Sequence, residues 1–91
     1  MELKELQAYI KNKDFKPELK HGYFLKLIEE VGELSESIRK NKRLASTGLK
    51  GSIEEELYDV LYYVIALANV YEIDLEKCME LKEKINQIKW G

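Results

Sequence analysis

The stretch LYDVLYYVIALANVY, residues 57–71, carries only one charged side chain, that of Asp59. Its apolar residues recur on every side of a helix with 3.6 residues per turn, and a helix of this kind has to be buried on more than one side. Ser52, with Glu55 three residues later, has the form of a capping box and predicts where this helix begins. We expect the helix to extend to about Glu72 and to lie at the centre of the fold.

Three amphipathic helices are predicted around this central helix, the third in chain order. The first ends within residues 12–14, the second extends from about Glu18 to Lys40, and the fourth follows a cap at Asp74. Residues 41–51 predict a loop, because they combine basic residues with Ser, Thr and Gly. The helices are indicated by apolar residues three and four positions apart, namely Leu3, Leu6 and Ile10, then Phe24, Leu27, Ile28, Val31, Leu34 and Ile38, then Leu75, Cys78, Leu81, Ile85 and Ile88. We expect one all-α domain over residues 1–91, a four-helix bundle-like fold with Cys78 in its core.

The composition bounds the class of protein. A chain of 91 residues is small for a single core, and three amphipathic helices can hardly cover the central one. We therefore expect self-association as a homodimer, with a tetramer left open. The net charge of −2 argues against a nucleic-acid partner. The single cysteine, the charged N-terminus and the lack of a membrane-length apolar run predict a cytoplasmic protein with no membrane partner.

Two pairs of acidic residues lie on the second and third predicted helices. Glu30 and Glu33 are three residues apart, and so are Glu56 and Asp59. On a helix this spacing places both carboxylates of a pair on one face. Clusters of oxygen ligands suit Mg²⁺ or Mn²⁺, and Mg²⁺ held in this way usually also binds substrate phosphates. The sequence therefore predicts metal-dependent phosphate chemistry.

The alternative is that these acids only solvate helix faces. That interpretation is favoured for Glu29, Glu36, Glu54 and Glu55, which belong to neither pair. It is disfavoured for Asp59, because a carboxylate in a nearly uncharged helix is costly to bury without a partner. On a helical wheel Glu33 lies farther toward the polar side than Glu30, so it needs cover from another helix or subunit.

The motifs LIEEVGEL (27–34) and EELYDVL (55–61) resemble those of the MazG-like nucleotide pyrophosphohydrolases, members of the all-α NTP pyrophosphatase superfamily. The resemblance covers residues 24–89 and includes YVIALA (63–68), IDL (73–75) and KEKINQIK (82–89). Dimeric dUTPases, dCTP pyrophosphatases and phosphoribosyl-ATP pyrophosphatase belong to the same superfamily. The motifs are specific for the superfamily and do not identify one substrate.

The resemblance implies a role for each matching residue. The implied metal ligands are Glu30, Glu33, Glu56 and Asp59, with Mg²⁺ as the cofactor and Mn²⁺ as a substitute. The implied catalytic acids are Glu29 and Glu33, Glu29 as a base that orients water. The implied substrate-binding residues are Tyr63, Lys82, Asn86 and Lys89. Lys89 stands where relatives often carry Arg, so it keeps the charge and loses the bidentate fork.

The resemblance implies hydrolysis of (deoxy)nucleoside triphosphates to a monophosphate and pyrophosphate, and a role in removing non-standard nucleotides. A metal that generates the nucleophile requires no catalytic Ser, Cys or His, which fits a chain with one His and one Cys. Two alternatives stay open at this point. One is a related pyrophosphatase with a single substrate, such as phosphoribosyl-ATP, dUTP or dCTP. The other is a non-catalytic helical interaction module.

Overall fold

The computed structural model describes the backbone of residues 1–90 and the side chains of residues 1–88. Its helices are α1 (Leu3–Lys13), a 3-10 turn (Pro17–Leu19), α2 (Lys20–Arg39), α3 (Leu44–Thr47), α4 (Ile53–Val70) and α5 (Leu75–Trp90). Within residues 1–90 there is no β-strand, which confirms the predicted all-α class. None of the described helices combines the length and apolar character needed to cross a lipid bilayer.

Helices α2 and α4 form the most extensive contact in the chain, and α1 packs against α4. The buried core lies at this junction and consists of Ile10, Tyr23, Ile65, Ala66 and Val70. The core is therefore built around α4, as its apolar sequence predicts. One face of α4 stays uncovered in the single chain, with Leu57, Leu61 and Val64 exposed.

The N-terminus of α4 forms half of the predicted capping box. The Ser52 hydroxyl accepts a hydrogen bond from the Glu55 backbone N–H at 3.1 Å and donates one to the Leu49 carbonyl at 2.7 Å. The Glu55 carboxylate does not return to Ser52 but accepts from the Gly51 N–H at 2.8 Å. Gly51 has a φ of 78°, a conformation that glycine adopts without strain. The loop and the first turn of α4 are thus fixed to each other.

The predicted loop over residues 41–51 is partly wrong, because Leu44–Thr47 forms the one-turn helix α3. Its position is set by Glu54 on α4, which accepts hydrogen bonds from Arg43 Nε at 3.0 Å and from the Leu44 N–H at 2.9 Å. A partner ten residues away satisfies the first backbone donor of the turn. Local sequence patterns do not reveal a partner at that distance.

The C-terminus of α2 closes in a Schellman motif. Asn41 is left-handed with a φ of 50°, and its N–H donates to the Ile38 carbonyl at 3.0 Å. The Lys42 N–H donates to the Ser37 carbonyl at 3.0 Å, and the Lys42 carbonyl accepts from the Ile53 N–H at 2.7 Å. Lys42 therefore connects the end of α2 directly to the start of α4.

The end of α1 is joined to both central helices by one carboxylate. Asp14 accepts hydrogen bonds from the Tyr23 hydroxyl at 2.7 Å and from the Tyr62 hydroxyl at 2.9 Å. Tyr23 in turn accepts from the Lys16 N–H at 3.0 Å. Burial, followed by the hydrogen bond to Asp14, raises the pKa of Tyr23 to about 12. The hydroxyl stays protonated and acts as a donor at neutral pH.

Helix α5 packs mainly against α1, and Leu75 and Glu76 in its first turn are half-buried. Asp74 caps it as predicted, accepting from the Lys77 N–H at 3.1 Å, and Gln7 accepts from the Leu75 N–H at 3.1 Å. Cys78 is exposed, so its predicted place in the core is wrong. Leu81, Ile85 and Ile88 are exposed too. Among the side chains of residues 1–88, the part of this stripe from Cys78 to Ile88 is therefore not packed into the bundle, contrary to its predicted place.

Candidate active site

Three carboxylates converge where α2 packs against α4. Glu30 comes from the middle of α2, and Glu56 and Asp59 come from successive positions on one face of α4. One oxygen from each lies within 4.8 Å of one from each of the others. Glu30 and Glu56 are 8% and 7% exposed, and Asp59 is half-buried. Helical spacing aligns the two acids of α4, and helix packing adds the third.

Two of these acids have a buried carboxylate oxygen that receives no hydrogen bond from the described part of the chain. Glu30 Oε2 and Glu56 Oε2 are both buried with no hydrogen-bond donor among the described residues. Burial, then a hydrogen bond to Glu33 and then neighbouring negative charges raise the pKa of Glu30 to about 7. Burial and nearby carboxylates, Glu33 among them, also raise the pKa of Glu56 and of Asp59. The packing thus holds negative charge at an appreciable cost in free energy.

A divalent cation fits this set of donors. The ligating atoms are all oxygens, the chemistry that Mg²⁺ and Mn²⁺ prefer. The two unpaired oxygens of Glu30 and Glu56 are free to coordinate an ion. An ion between the acids would reverse the electrostatic penalty of their burial.

Glu29 and Glu33 lie outside the triad, on the exposed side of α2. With Glu56 they line a cavity of about 400 Å³, which we call the Lys42 cavity. Its lining consists of four glutamates, two glycines, one serine and Lys42. Glu29 also contacts Lys26 at 3.5 Å. The structure therefore brings Glu29 and Glu33 to the edge of the triad.

Tyr63 lines a second cavity, which we call the tyrosine cavity. This cavity measures about 340 Å³ and is lined by Lys13, Glu30, Tyr58, Asp59, Tyr62 and Tyr63. Burial raises the pKa of Tyr63, so its hydroxyl remains a donor beside the acids. Lys26 Nζ lies 5.9 Å from the centre of the Tyr63 ring. The acidic triad thus has a charged cavity at Glu56 and an aromatic cavity at Glu30 and Asp59.

The residues predicted on α5 are not brought to the acids. Lys82 is exposed, and Asn86 makes a local contact from Nδ2 to Glu83 Oε1 at 3.4 Å. Neither lines the Lys42 cavity or the tyrosine cavity. The side chain of Lys89 lies outside the described residues.

Sequence reasoning singled out neither Lys13 nor Lys42, although each lines one of the two cavities. Both follow or end a helix, and no motif distinguishes them from other surface lysines. Tyr58 and Tyr62 also line the tyrosine cavity.

Comparisons with known proteins identify the family and the fold of this chain. Residues 18–89 match the model of the MazG nucleotide pyrophosphohydrolase domain. Two crystal structures of iMazG from Vibrio DAT 722 are similar to this chain. The C-terminally tagged form is 61% identical with a TM-score of 0.90, covering 96% of this chain and 99% of that one. The N-terminally tagged form is 58% identical with a TM-score of 0.92, covering 100% and 99%.

A curated relative is more distant. The uncharacterized protein YpjD of Bacillus subtilis (strain 168) is 33% identical over an alignment of 84 residues, and the match covers 82% of this chain and 74% of YpjD. The family model spans both acidic pairs and most of the fold. The chain belongs to the MazG nucleotide pyrophosphohydrolase family.

Proposed function

We propose that this nucleotide pyrophosphohydrolase uses Mg²⁺ to hydrolyse (deoxy)nucleoside triphosphates to a monophosphate and pyrophosphate, with Mn²⁺ as a substitute. One observation carries the proposal: three convergent carboxylates, two of them with unpaired buried oxygens, lie between two cavities. Such a cluster is costly without a cation and suited to phosphate chemistry with one. The removal of non-standard nucleotides is the physiological role that we propose for this activity.

Glu30, Glu56 and Asp59 are the proposed metal ligands, and Glu33 completes the set from the edge of the triad. Its charge raises the pKa of both Glu56 and Asp59, which is the behaviour of a carboxylate close to them. When bound, Mg²⁺ neutralises charge on phosphate oxygens and lowers the pKa of a coordinated water. The remaining steps depend on side chains of the protein.

Glu29 and Glu33 are the proposed catalytic carboxylates, which act as proton acceptors. Each offers a carboxylate in the cavity beside Glu56, where it can accept a hydrogen bond from water and orient its oxygen toward phosphorus. Hydrolysis forms one bond from the water oxygen to phosphorus and breaks one phosphoric anhydride bond. The proton that water loses passes to the orienting carboxylate, and the departing phosphate oxygen keeps the bonding electrons.

Tyr63 is the proposed phosphate donor within this chain. Its hydroxyl lies beside Glu30 and Asp59, and its raised pKa keeps it protonated. A neutral hydroxyl donates a hydrogen bond to a phosphate oxygen, whereas a phenolate would repel it.

Lys82, Asn86 and Lys89 are the proposed contacts of a second subunit with the substrate. Within one chain, Lys82 and Asn86 lie apart from both cavities. The apolar residues that α4 and α5 leave exposed support self-association as a dimer, or as a tetramer. A dimer that covers these stripes offers a route by which α5 of one subunit reaches the acids of its partner.

The test is pyrophosphate release from a panel of NTPs and dNTPs, with phosphoribosyl-ATP included. We expect release with Mg²⁺ or Mn²⁺ and none with EDTA. Asp59→Asn should abolish it, whereas Glu80→Gln, on the exposed part of α5, should leave it unchanged. Release in EDTA, or full activity of Asp59→Asn, would reject the mechanism. Turnover of one panel member alone would establish the narrow-substrate alternative, and no turnover at all would favour the interaction module.

A further inference from the structure

The backbone of Lys42 is held on both sides by the two helices that carry the acids. Its N–H donates to the Ser37 carbonyl of α2 at 3.0 Å, and its carbonyl accepts from the Ile53 N–H of α4 at 2.7 Å. A residue bonded in this way has little freedom to move relative to the acidic triad. The side chain is half-buried and lines the Lys42 cavity.

The basic residues around Lys42 are paired, and Lys42 is not. Arg39 and Lys40 form salt bridges with Glu36 at 3.1 and 2.8 Å, and Arg43 forms one with Glu54 at 3.0 Å. Among the side chains of residues 1–88, none forms a salt bridge with Lys42 within 4.0 Å. Lys42 is also the one basic residue among those that line its cavity, which four glutamates line as well. Its ammonium is therefore available to an incoming anion.

The two cavities suit different parts of a nucleotide. The tyrosine cavity has three aromatic side chains, which offer flat apolar surface to a sugar or base. The Lys42 cavity has no aromatic side chain, and its lining is charged, small or hydroxylic. Phosphate groups favour a lysine and avoid carboxylates unless cations accompany them. The difference in lining therefore indicates which end of a nucleotide lies in each cavity.

We propose that Lys42 binds the terminal phosphates of the substrate, which become the pyrophosphate product, while the nucleoside lies on the side of the tyrosine cavity. The inference rests on the proposed function, because it assigns the orientation of the triphosphate in that site. Lys42 Nζ donates charge-assisted hydrogen bonds to oxygens of the two terminal phosphates. Together with the cations held by the acids, it offsets the repulsion from the four glutamates that line the cavity.

The experiment measures the affinity of Lys42→Gln for the two products. Calorimetry with Mg²⁺ present compares binding of inorganic pyrophosphate with binding of a nucleoside monophosphate. Loss of a lysine–phosphate contact should weaken pyrophosphate binding by about 10- to 100-fold. Monophosphate binding should change by less than about twofold, because the nucleoside lies at the other cavity. Product inhibition of turnover should show the same pattern.

Two matched variants are measured beside Lys42→Gln. Lys42→Arg keeps the charge and should retain pyrophosphate affinity within a few-fold. Lys50→Gln removes an exposed lysine from the same segment, outside both cavities, and should bind both products as the wild type does. Lys42→Met keeps the aliphatic stem and replaces the Gln variant if that variant has a lower thermal midpoint.

Unchanged pyrophosphate affinity in Lys42→Gln would overturn the inference, and equal weakening of both products would overturn the orientation. Neither result would touch the proposed function, which is judged by whether the wild type turns over any triphosphate. Failure of turnover would reject the function, and pyrophosphate binding would still decide the role of Lys42.

Discussion

Glu30 lies in the middle of α2, buried to 8% exposure, with one carboxylate oxygen that no described donor reaches. Glu56 differs, since it lies in the first turn of α4, where the helix dipole favours a negative charge. No such compensation is available to Glu30, and its pKa is raised to about 7, first by burial and then by Glu33. Of the three acids, Glu30 should therefore be the one whose charge destabilises the metal-free folded state most.

The charge of Glu30 should make the metal-free protein less stable as the pH rises. Its pKa is about 7 in the folded chain and about 4.5 when unperturbed. Between these values the folded state binds more protons, so the free energy of unfolding falls with rising pH, by at most about 3 kcal/mol. We expect Glu30→Gln to be more stable than the wild type at about pH 8 in EDTA and to lose this advantage near pH 4.5. Urea denaturation at both pH values measures it.

Glu36→Gln is the matched control on the same helix. Hydrogen bonds from Lys40 and Arg39 lower the pKa of Glu36, so its charge is favourable in the folded state. This substitution should therefore not stabilise the protein at about pH 8. A Glu30→Gln variant less stable than the wild type at that pH would contradict the conclusion that the buried charge of Glu30 destabilises the metal-free protein.

The spacing of the acids reveals which residues share a helix face, and the residue types reveal the chemistry. Glu56 and Asp59 share a face of α4 as that spacing predicts, and helix packing brings Glu30 to them, while their role as ligands stays a prediction. Lys13 and Lys42 could not be predicted. Their positions depend on backbone bonds and packing between helices, as with the bonds from Lys42 to Ser37 and Ile53.

At the scale of the elements, Ser52 fixes the start of α4. Its hydroxyl is fully buried, accepts from the Glu55 N–H and donates to the Leu49 carbonyl. Ser52→Ala removes the cap and leaves the Glu55 N–H without this acceptor. We expect the free energy of unfolding to fall by about 1–2 kcal/mol, measured by urea denaturation.

Ser35→Ala tests whether any loss of a serine has this effect. Ser35 is exposed within α2, where alanine is the better helix former, so its replacement should leave stability unchanged or slightly higher. Equal losses for the two variants would show that the Ser52 hydroxyl contributes nothing as a cap.

Asp14 joins three helical elements through two tyrosine hydroxyls. Asp14→Ala leaves the hydroxyls of Tyr23 and Tyr62 without this acceptor, and we expect a loss of about 2–3 kcal/mol in the free energy of unfolding. In a double-mutant cycle with Tyr23→Phe, the combined loss should be smaller than the sum of the two single losses. The reason is that both substitutions remove the same hydrogen bond, the one from Tyr23 to Asp14. Strict additivity would contradict a direct interaction.

The boundaries of the long helices were predictable because caps and apolar spacing act locally. Ser52 and Asp74 cap α4 and α5 as expected. The turn α3 was missed because Glu54 supplies its partners from another helix. Cys78 was misplaced because its stripe has the spacing of a core helix, although its side chain is exposed in the structure.

At the scale of the whole molecule, the chain is more extended than a compact domain. Its radius of gyration is 15.3 Å, against about 12 Å for a compact chain of this length. Exposed apolar residues on α2, α4 and α5 include Ile28, Val31, Leu61, Val64 and Ile85. Both observations support the proposed self-association.

Val64→Glu should disrupt this association. A charge on the uncovered face of α4 has to be desolvated when a partner packs there. We expect sedimentation to show a monomer for Val64→Glu and an assembly for the wild type. Asn12→Glu adds the same charge on an exposed part of α1 and should leave the assembly intact. An unchanged assembly for Val64→Glu would place the interface elsewhere.

The isolation of α5 has a kinetic consequence. A helix of 16 residues whose side chains over residues 77–88 are exposed, except for the half-buried Asn86, is marginal by itself in water. If its stripe is covered by a second copy, the last step of refolding is a collision between two chains. The ellipticity of the protein should then fall on dilution, and the slow phase of refolding should accelerate in proportion to chain concentration.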